Sequence, residues 1–380
     1  MNKIVIAADS FKGSISSQEF ADVCERSILS VFPDCEVEKI ALGDGGEGTV
    51  DALISALGAK RVSATVEDPL MRPHTAVYGV TPDGTTAIME MAQASGLPLL
   101  DEAERNPMKT TTFGTGRMIA DALGRGCRRI IIGIGGSATN DGGAGMLGAL
   151  GAKFYDRDGH LMPPAITGGD LMNISRIDLS ELDPRVKAAE IEVACDVDNP
   201  FCGQRGATRV FSRQKGADDR MTEELERGMA HYAGLLSSAT GLDVADLPGA
   251  GAAGGLGGAL AAAMRARLLP GIELVLKAVD FEKRAAGADL VITGEGRIDS
   301  QTLMGKTPSG VLHTARRQGV PVVALGGSVE YSEALDKAGF AGIFSIQSAP
   351  VSLAEALDKS NTRRNLGNTV RQIISLISAF

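Results

Sequence analysis

Seven short segments of the sequence are rich in small residues, and most of them also contain a carboxylate or a basic side chain. They are DSFKGS (9–14), GDGGEGT (43–49), TFGTGR (112–117), GGSATNDGG (135–143), CDVDNP (195–200), GAGAAGGLGG (249–258) and TGEGRID (293–299). Backbone N–H groups in glycine loops and at helix N-termini bind anions, helped by the helix dipole. A carboxylate beside such a loop repels an anion unless a cation bridges the two, and Mg²⁺ commonly bridges carboxylates to nucleotide phosphates. The set predicts phosphoryl transfer, although a tight turn capped by Asp or Ser is the alternative for any single segment.

The stretch GIGGSATNDGGAG (133–145) contains six glycines. Glycine loses more backbone entropy on folding than any other residue, so this density needs a reason, such as positive φ angles or the close approach of a ligand. We expect the glycines to let backbone donors approach an anionic ligand. The polar residues of the stretch would orient that ligand.

The same stretch also satisfies a dinucleotide fingerprint. Positions 133–138 fit GxGxxA after the strand-like CRRIIIG (127–133), and Asp156 or Asp158 lies about 20 residues on, where a ribose ligand is expected. In that fingerprint, however, a helix opens inside the motif, whereas here the sequence postpones a helix to about Met146. A dehydrogenase is therefore the weaker hypothesis.

A second nucleotide motif is suggested by GKT at 305–307. A P-loop needs a glycine five residues before the GK glycine, and Ser300 stands there instead. Lys306 is then either a point charge that faces a phosphate or an exposed surface lysine.

The elements that must position these segments follow an alternating pattern. Apolar runs at 3–9 and 35–42 predict strands, and apolar residues at helical spacing follow Ser16, which with Glu19 forms a capping-box signature. Similar runs return late in the chain, at 288–299, 320–328 and 340–346, and the last helix is TVRQIISLISAF. Such βα repeats predict a parallel sheet whose functional groups lie beyond the strand C-termini.

The region between these two halves differs, with more turns and most of the glycine-rich segments. We therefore predict a discontinuous α/β domain formed by residues 1–68 and 281–380, with a second α/β domain, residues 69–280, inserted between them. VEDPLMRP (66–73) would be one hinge, because its prolines restrict their neighbours. A cleft between two domains, where small molecules often bind, follows from this arrangement.

Composition limits the classes of function. The 380 residues are 44% apolar and 22% charged, which is typical of a soluble globular protein. The net charge of -9 and the absence of a Lys/Arg run argue against nucleic acid as the main partner. No apolar stretch is long enough for a membrane span, and the N-terminal residues become polar too soon for a signal peptide, so we expect a cytoplasmic protein.

The cysteine and histidine residues give no sign of a metal site or a nucleophile. Five cysteines have neither a CxxC pair nor a nearby histidine at zinc spacing, so we expect reduced and mostly buried thiols. None of the four histidines lies in a nucleophile motif.

Taken in order, the motifs resemble the type 1 glycerate kinase family. The matching stretches, which extend over essentially the whole chain, are DSFKGS, DGGEGT, NPMKTTTFGTG, GIGGSATNDGGAG, CDVDNPFCG, GAGAAGG and TGEGRIDSQT. The resemblance implies a glycerate 2-kinase, which uses ATP to phosphorylate D-glycerate to 2-phosphoglycerate, and a flavodoxin-like, doubly wound parallel-sheet domain interrupted by a second α/β domain. Ala8 replaces a frequent Pro, and Ser212 and Arg213 replace a common Gly-Pro. Neither departure removes a charged or donor group from the motifs.

Phosphoryl transfer from ATP needs neutralised phosphate charge, in-line geometry and a carboxylate that accepts the hydroxyl proton. Asp196 and Asp44 are the candidates for this general base. Lys12, in the first βα loop, is the leading candidate for contact with a phosphate or with the glycerate carboxylate. Asp9 and Asp299 are the candidates for binding Mg²⁺. These two acids and the two candidate bases all end strand-like runs, where the functional edge of the sheet is expected. A helix or turn cap is the alternative role for each Asp.

Further residues of the seven segments, together with two lysines outside them, are expected to bind glycerate or ATP. They are Ser10, Glu47, Gly135, Gly136, Ser137, Thr139, Asn140, Asp141, Asn199, Lys215, Glu295, Arg297 and Lys306. The predicted partners are D-glycerate, ATP and Mg²⁺, without nucleic acid or membrane. A kinase of another small hydroxy acid is the nearest alternative, and an NAD-dependent dehydrogenase is a more distant one. The sequence leaves open the oligomeric state, a homo-oligomer included, and which loop binds ATP.

Overall fold

The computed structural model describes residues 1–11, 13–42, 49–303 and 305–379. The strands within them are β1 (Lys3–Ala8), β2 (Glu36–Ala41), β3 (Lys60–Glu67), β4 (Pro73–Val80), β5 (Thr86–Glu90), β6 (Arg129–Gly133), β7 (Lys153–Tyr155), β8 (Arg176–Asp178), β9 (Glu190–Ala194), β10 (Arg267–Leu269), β11 (Leu290–Ile298), β12 (Val322–Val329) and β13 (Gly342–Ser345).

Helices alternate with these strands along most of the chain. They are α1 (Ser17–Leu29), α2 (Thr49–Ala56), α3 (Ala92–Ser95), α4 (Phe113–Gly124), α5 (Ala144–Ala149), α6 (Pro184–Ala188), α7 (Ala207–Phe211), α8 (Asp219–Thr240), α9 (Leu256–Met264), α10 (Gly271–Ala278), α11 (Phe281–Ala285), α12 (Thr307–Arg317), α13 (Glu333–Ala338), α14 (Leu353–Leu357) and α15 (Lys359–Ile377).

The chain divides into two units. Met1–Ala52 and Pro270–Phe380 form the outer unit, and Leu53–Leu269 form the inserted unit. The sheet of the outer unit has the strand order β2-β1-β11-β12-β13, and every neighbouring pair is parallel. Numbered within this unit, the order is 2-1-3-4-5, which is the flavodoxin-like doubly wound order. The predicted α/β fold class is confirmed.

Local sequence explains the start of the outer unit. Residues Ile4 to Ala8 of β1 are buried, as expected for a central parallel strand with helices on both faces. Helix α1 begins after Ser16, whose hydroxyl accepts the N–H of Glu19 at 3.1 Å while the Glu19 carboxylate accepts the N–H of Ser16 at 3.0 Å. This is the predicted capping box. Phe20 on the same helix packs into the core of the unit.

The inserted unit contains a mixed sheet with the order β10-β9-β6-β5-β4-β3. Strands β3, β4 and β5 are antiparallel, whereas β5, β6, β9 and β10 run parallel. Gly133 at the end of β6 pairs with Ala194 at the end of β9. The segments that follow these two strands therefore leave the sheet at the same edge. Strands β7 and β8 form a separate antiparallel pair.

The boundaries of the two units differ from those predicted. The inserted unit begins at Leu53 and ends at Leu269, instead of at residues 69 and 280. The first shift arises because β3 pairs along its whole length with β4, so residues 60–67 belong to the second sheet. The segment that looked like a hinge is the turn of this hairpin, in which the Asp68 N–H donates to the Arg72 carbonyl at 2.9 Å. At the other end, β10 pairs with β9 of the same sheet.

The five cysteines are free thiols, four of them buried and Cys202 partly exposed. Burial raises the pKa of the Cys24 thiol, in keeping with a packing role. Among the helices of the described chain, none is long and apolar enough to cross a membrane.

Candidate functional site

In the outer unit, predicted residues lie where β1 and β11 end. Asp9 directly follows β1, and its N–H donates to the Gly294 carbonyl of β11 at 3.0 Å. Because Ile4 pairs with Leu290, Asp9 is level with Glu295 across the two strands. Asp9 is only 5% exposed. Its carboxylate accepts the N–H of Ser10 at 2.6 Å, so Ser10 contributes a backbone donor to this edge.

Glu295 supplies a second buried carboxylate at this edge. It lies within β11, since the strand continues through Ile298 and includes most of the TGEGRID segment that the sequence suggested as a loop. Glu295 is 6% exposed and accepts a hydrogen bond from the Thr302 hydroxyl. Burial raises the pKa of the Glu295 carboxyl, while that hydrogen bond and Lys306 oppose the rise and the charges of Asp9 and Asp299 add to it.

Asp299 follows β11 directly and is fixed by its neighbours. Its carboxylate accepts the N–H of Gln301 at 2.9 Å and lies 3.1 Å from Nε of Arg297. Arg297 is largely exposed and also donates to Glu330 at 2.7 Å, so its charge is shared between two acids. Lys306 is the N-cap residue of α12, which places it at the start of that helix.

Three carboxylates and one lysine thus share this part of the outer unit. Mg²⁺ prefers oxygen ligands and usually takes one or two protein carboxylates, with water and phosphate completing its shell. Asp9 and Asp299 fit this chemistry, and Glu295 adds further negative charge that a cation would offset. Their oxygens do not converge as a preformed cage. Within the described residues, the potential metal ligands that do lie close together are Asp156, Asp158 and His160 at the surface. One ligand atom from each of them lies within 4.8 Å of the other two.

The glycine-rich segment of the inserted unit has an exposed part and a buried part. Gly135 and Gly136 are exposed, whereas residues 137–143 are buried. A Cβ added at Gly135 would meet nothing within 4 Å. At Gly142, where φ is +61°, a Cβ would lie 2.7 Å from the ring of Tyr232. The glycines of the buried part therefore serve the turn and close packing, and only the exposed pair fits the expected approach of a ligand.

Asp141 holds the buried part together. Its carboxylate accepts both the N–H and the hydroxyl of Thr112 at 2.7 Å, and the N–H groups of Gly143 and Gly145 at 3.1 and 3.3 Å. Burial raises the pKa of the Asp141 carboxyl, and these hydrogen bonds oppose the rise. All four donors belong to the protein, so the structure uses Asp141 as an internal anchor.

Two neighbouring side chains have polar atoms without a partner in the described part of the chain. The Oγ1 atom of Thr139 and the Oδ1 atom of Asn140 are buried and make no hydrogen bond there. The Asn140 amide donates to the Thr208 hydroxyl at 3.0 Å. The segment GAGAAGGLGG packs against them, since a Cβ at Gly254 would lie 2.0 Å from the Thr139 carbonyl oxygen.

Lys215 lies beneath the same segment and is 1% exposed. Its ammonium group donates to the Ser137 hydroxyl and to the Thr139 carbonyl, both at 2.7 Å. Burial lowers the pKa of Lys215 to about 7, and the negative charge of Asp141 opposes the fall. The sequence suggested a direct contact of this lysine with a ligand, whereas its ammonium group contacts the loop itself.

The segment after β9 leaves the sheet beside the glycine-rich loop. Ala194 and Gly133 are paired at the ends of β9 and β6. Asp196 lies two residues after Ala194 and Gly135 lies two residues after Gly133, and both are exposed. Asn199 is held more firmly, because its amide donates to the Arg205 carbonyl at 2.8 Å. Asp196 thus occupies an accessible position at the carboxyl edge of this sheet.

The dinucleotide fingerprint is not formed. After positions 133–138, the chain makes an antiparallel bridge between Gly96 and Ser137, and α5 begins only at Ala144. No helix therefore opens within residues 133–138, as a dinucleotide fingerprint requires. Asp156, one of the two suggested ribose ligands, accepts the His160 N–H at 2.8 Å in a surface turn.

Three predicted residues, Lys12, Asp44 and Glu47, lie outside the described residues. Two supporting residues received no role from the sequence. Thr302 lies in the TGEGRIDSQT stretch and could have been found there, whereas nothing local marks Thr208 as the partner of Asn140.

Comparison with known proteins agrees with this architecture. The model of the glycerate kinase family matches residues 4–378. The chain is 49% identical to a glycerate kinase of Bacillus cereus and 46% identical to a glycerate 2-kinase of Escherichia coli K12, and each alignment covers 93% of both proteins. A crystal structure from Salmonella typhimurium LT2, described as a candidate glycerate kinase 2, superposes with a TM-score of 0.84 at 46% identity, covering 100% of this chain and 98% of that one.

The fold and the site define a two-unit α/β protein with carboxylates and a glycine-rich loop at the strand ends. With a match over nearly its whole length, the chain belongs to the glycerate kinase family.

Proposed function

We propose that this protein is a glycerate 2-kinase that transfers the γ-phosphoryl group of ATP to the 2-hydroxyl of D-glycerate with the help of Mg²⁺. The observation that carries the proposal is the 46% identity to the Escherichia coli glycerate 2-kinase over 93% of both chains. The positions of acidic and basic residues at the strand ends support it, since phosphoryl transfer relies on positioning and charge neutralisation.

The carboxylates of the outer unit suit the metal. Asp9 and Asp299 would hold Mg²⁺, which supplies positive charge to the phosphates when it is bound. Lys306, at the start of α12, would face a phosphate oxygen together with N–H groups of that helix. Arg297 stays bound to its acidic partners and would orient Asp299. Ser10 and Glu295 are the remaining residues of the outer unit that we propose for binding of the substrates.

The inserted unit would contribute the groups that bind and deprotonate the acceptor. Asp196 is our choice for the general base because it is exposed at the carboxyl edge of the sheet. The glycerate 2-hydroxyl oxygen would attack the γ-phosphorus while its proton passes to Asp196. The bond between the γ-phosphorus and the bridging oxygen of ADP would break in line with the attack.

The glycine-rich loop would bind an anionic oxygen of a substrate. Gly135 and Gly136 are exposed, and Ser137 follows them directly. The backbone N–H groups of the two glycines would donate to that oxygen. The Thr139 hydroxyl and the Asn140 side-chain oxygen are both buried without a partner in the described part of the chain, and of the two only the hydroxyl can donate to an anion. Lys12, Asp44, Glu47 and Asn199 keep the roles that the sequence predicts, and the cleft between the domains stays a prediction.

A substrate panel tests the proposal. The purified protein, ATP and Mg²⁺ are incubated with D-glycerate, L-glycerate, glycolate or D-lactate, and ADP formation is followed. We expect turnover with D-glycerate to exceed that with each other acid at equal concentration. Faster turnover with another acid would favour the alternative kinase. Binding of NADH without ATP turnover on any acid would contradict the proposal altogether.

A further inference from the structure

Lys215 is an unusual group for the interior of a protein. A buried ammonium loses its hydration and is retained only where hydrogen bonds replace it. Here the replacement comes from two acceptors, the Ser137 hydroxyl and the Thr139 carbonyl, each 2.7 Å from Nζ. Both acceptors belong to the loop that begins with the exposed Gly135 and Gly136.

The chemistry of an ammonium group fixes the direction of one of these bonds. A charged lysine can only donate, so the Ser137 oxygen must accept. The hydrogen of the Ser137 hydroxyl then points away from Lys215 and is available to another acceptor. In the described parts of the chain, Ser137 donates to no protein group. Ser137 is 8% exposed and directly follows the exposed glycines, so a ligand at the loop can supply the acceptor.

We propose that Lys215 is a positioning residue that makes Ser137 an obligate hydrogen-bond donor to an anionic oxygen of the substrate. The proposal rests on the proposed function, since it names the binding mode of that site. Lys215 itself does not touch the ligand. The anionic oxygen belongs either to the glycerate carboxylate or to a nucleotide phosphate, and the two sources present the same chemistry.

The charge of Lys215 controls this arrangement. A neutral amine has a lone pair and can accept from Ser137, which would turn the hydroxyl hydrogen inward. Of the groups around Lys215, Asp141 is the charged one that favours the ammonium, and burial disfavours it. Arg213 on the same turn is directed to Asp219, and Arg105 presents its carbonyl toward Gly216. The pKa of Lys215, about 7, places the switch within the range of an ordinary kinetic assay.

The experiment measures KM for D-glycerate and KM for MgATP between pH 6 and pH 9, each with the other substrate saturating. Wild-type protein is compared with Ser137→Ala, Lys215→Met and the control Ser238→Ala, a change on the exposed face of α8. A hydrogen bond to a charged group contributes about 1.5–3 kcal/mol, so we expect Ser137→Ala to raise one of the two KM values about 10- to 100-fold at pH 6.

The pH dependence separates positioning from mere packing. In the wild type, the affected KM should rise with pH through about 7 toward the Ser137→Ala value. In Ser137→Ala, this rise of KM with pH should be absent, because the hydroxyl whose direction depends on the charge of Lys215 has been removed. Both proteins meet the same ionisation of the substrates, so the difference between their profiles belongs to the enzyme. Which KM responds identifies carboxylate or phosphate as the source.

If it folds, Lys215→Met should lose the pH dependence, because no ammonium group remains to titrate. Its Ser137 hydroxyl is no longer forced to donate outward, so its KM should lie between those of the wild type at pH 6 and Ser137→Ala. Should it not fold, Ser137→Ala alone decides the matter. The proposal is overturned if Ser137→Ala leaves both KM values within twofold of wild type at pH 6, or if it keeps the wild-type pH profile. A wild-type protein that forms no phosphoglycerate would instead contradict the proposed function, so the two failures are distinguishable.

Discussion

The acidic residues of the two units are held in different ways. At the carboxyl end of the outer sheet, three carboxylates, those of Asp9, Glu295 and Asp299, lie near Lys306. In the inserted unit, the Asp141 carboxylate accepts four hydrogen bonds from its own surroundings. The first arrangement carries excess negative charge that a cation would balance. The second is internally satisfied and holds a loop in shape. Similar residue types, acids beside glycines, thus form an unbalanced acidic cluster in one unit and hold the architecture in the other.

The same contrast divides the glycine-rich loop itself. Its exposed beginning at Gly135 leaves space for a ligand, while its buried end at Gly142 is filled by the Tyr232 ring. Glycine density alone therefore does not locate a binding site. Burial decides which glycines approach a ligand and which approach the core.

The largest effect is expected at Asp196. Replacement of Asp196 by Asn should reduce kcat about 10²- to 10⁴-fold, because a positioned base contributes about this much to a proton transfer. Steady-state turnover of D-glycerate at saturating MgATP measures it. Asp198→Asn, an exposed acid of the same segment, is the matched control and should retain kcat within a few-fold. Equal losses in both variants would argue that the segment acts through its overall charge.

A pair of alanine substitutions tests the division of the loop. Gly142→Ala should destabilise the protein by about 2–4 kcal/mol, because its positive φ and the nearby Tyr232 ring both resist a Cβ. Gly135→Ala should change the free energy of unfolding by less than about 0.5 kcal/mol. Urea unfolding measures both. A similar loss at the two positions would mean that the exposed glycine is structural as well.

The metal assignment in the outer unit predicts a change in the Mg²⁺ requirement. Asp299→Asn should raise the Mg²⁺ concentration for half-maximal activity about 10-fold or more, since loss of a carboxylate weakens a hard-cation site. The activity is titrated with Mg²⁺ at a fixed concentration of ATP. Asp158→Asn, in the exposed acidic cluster, should leave the titration unchanged. The reverse pattern would move the metal to that cluster.

A further effect concerns stability and pH. The pKa of Lys215 falls from an ordinary 10.5 to about 7 on folding, so between these values the unfolded chain binds more protons than the folded one. The stability of the wild type relative to Lys215→Met should therefore rise with pH in this window, by up to about 1.4 kcal/mol per pH unit. Denaturant unfolding of both proteins between pH 6 and pH 10 measures the difference. A difference that is constant with pH would show that Lys215 keeps its proton throughout.

Local features of the sequence were sufficient for part of this account. The apolar run of β1, the capping box of Ser16 and Glu19, and the positions of Asp9 and Asp299 after their strands follow from neighbouring residues. Contacts between distant residues did not follow. Lys215 and Ser137 are 78 positions apart, and nothing near either residue indicates that the lysine is buried beneath the loop.

The unit boundary and the role of Asp141 were hidden for the same reason. The prolines near residue 70 suggested a hinge, but the pairing of β3 with β4 makes a hairpin there. Asp141 lies in a motif that suggested ligand binding, yet its partner Thr112 is 29 residues away and fully buried. Long-range packing decides such cases.

The most direct test of the central claim is the position of phosphorylation. Wild-type protein, D-glycerate, ATP and Mg²⁺ are combined, and the product is resolved by phosphorus NMR against 2- and 3-phosphoglycerate. We predict 2-phosphoglycerate, formed in a one-to-one ratio with ADP and only when Mg²⁺ is present. Formation of 3-phosphoglycerate, or no phosphoglycerate at all, would contradict the account.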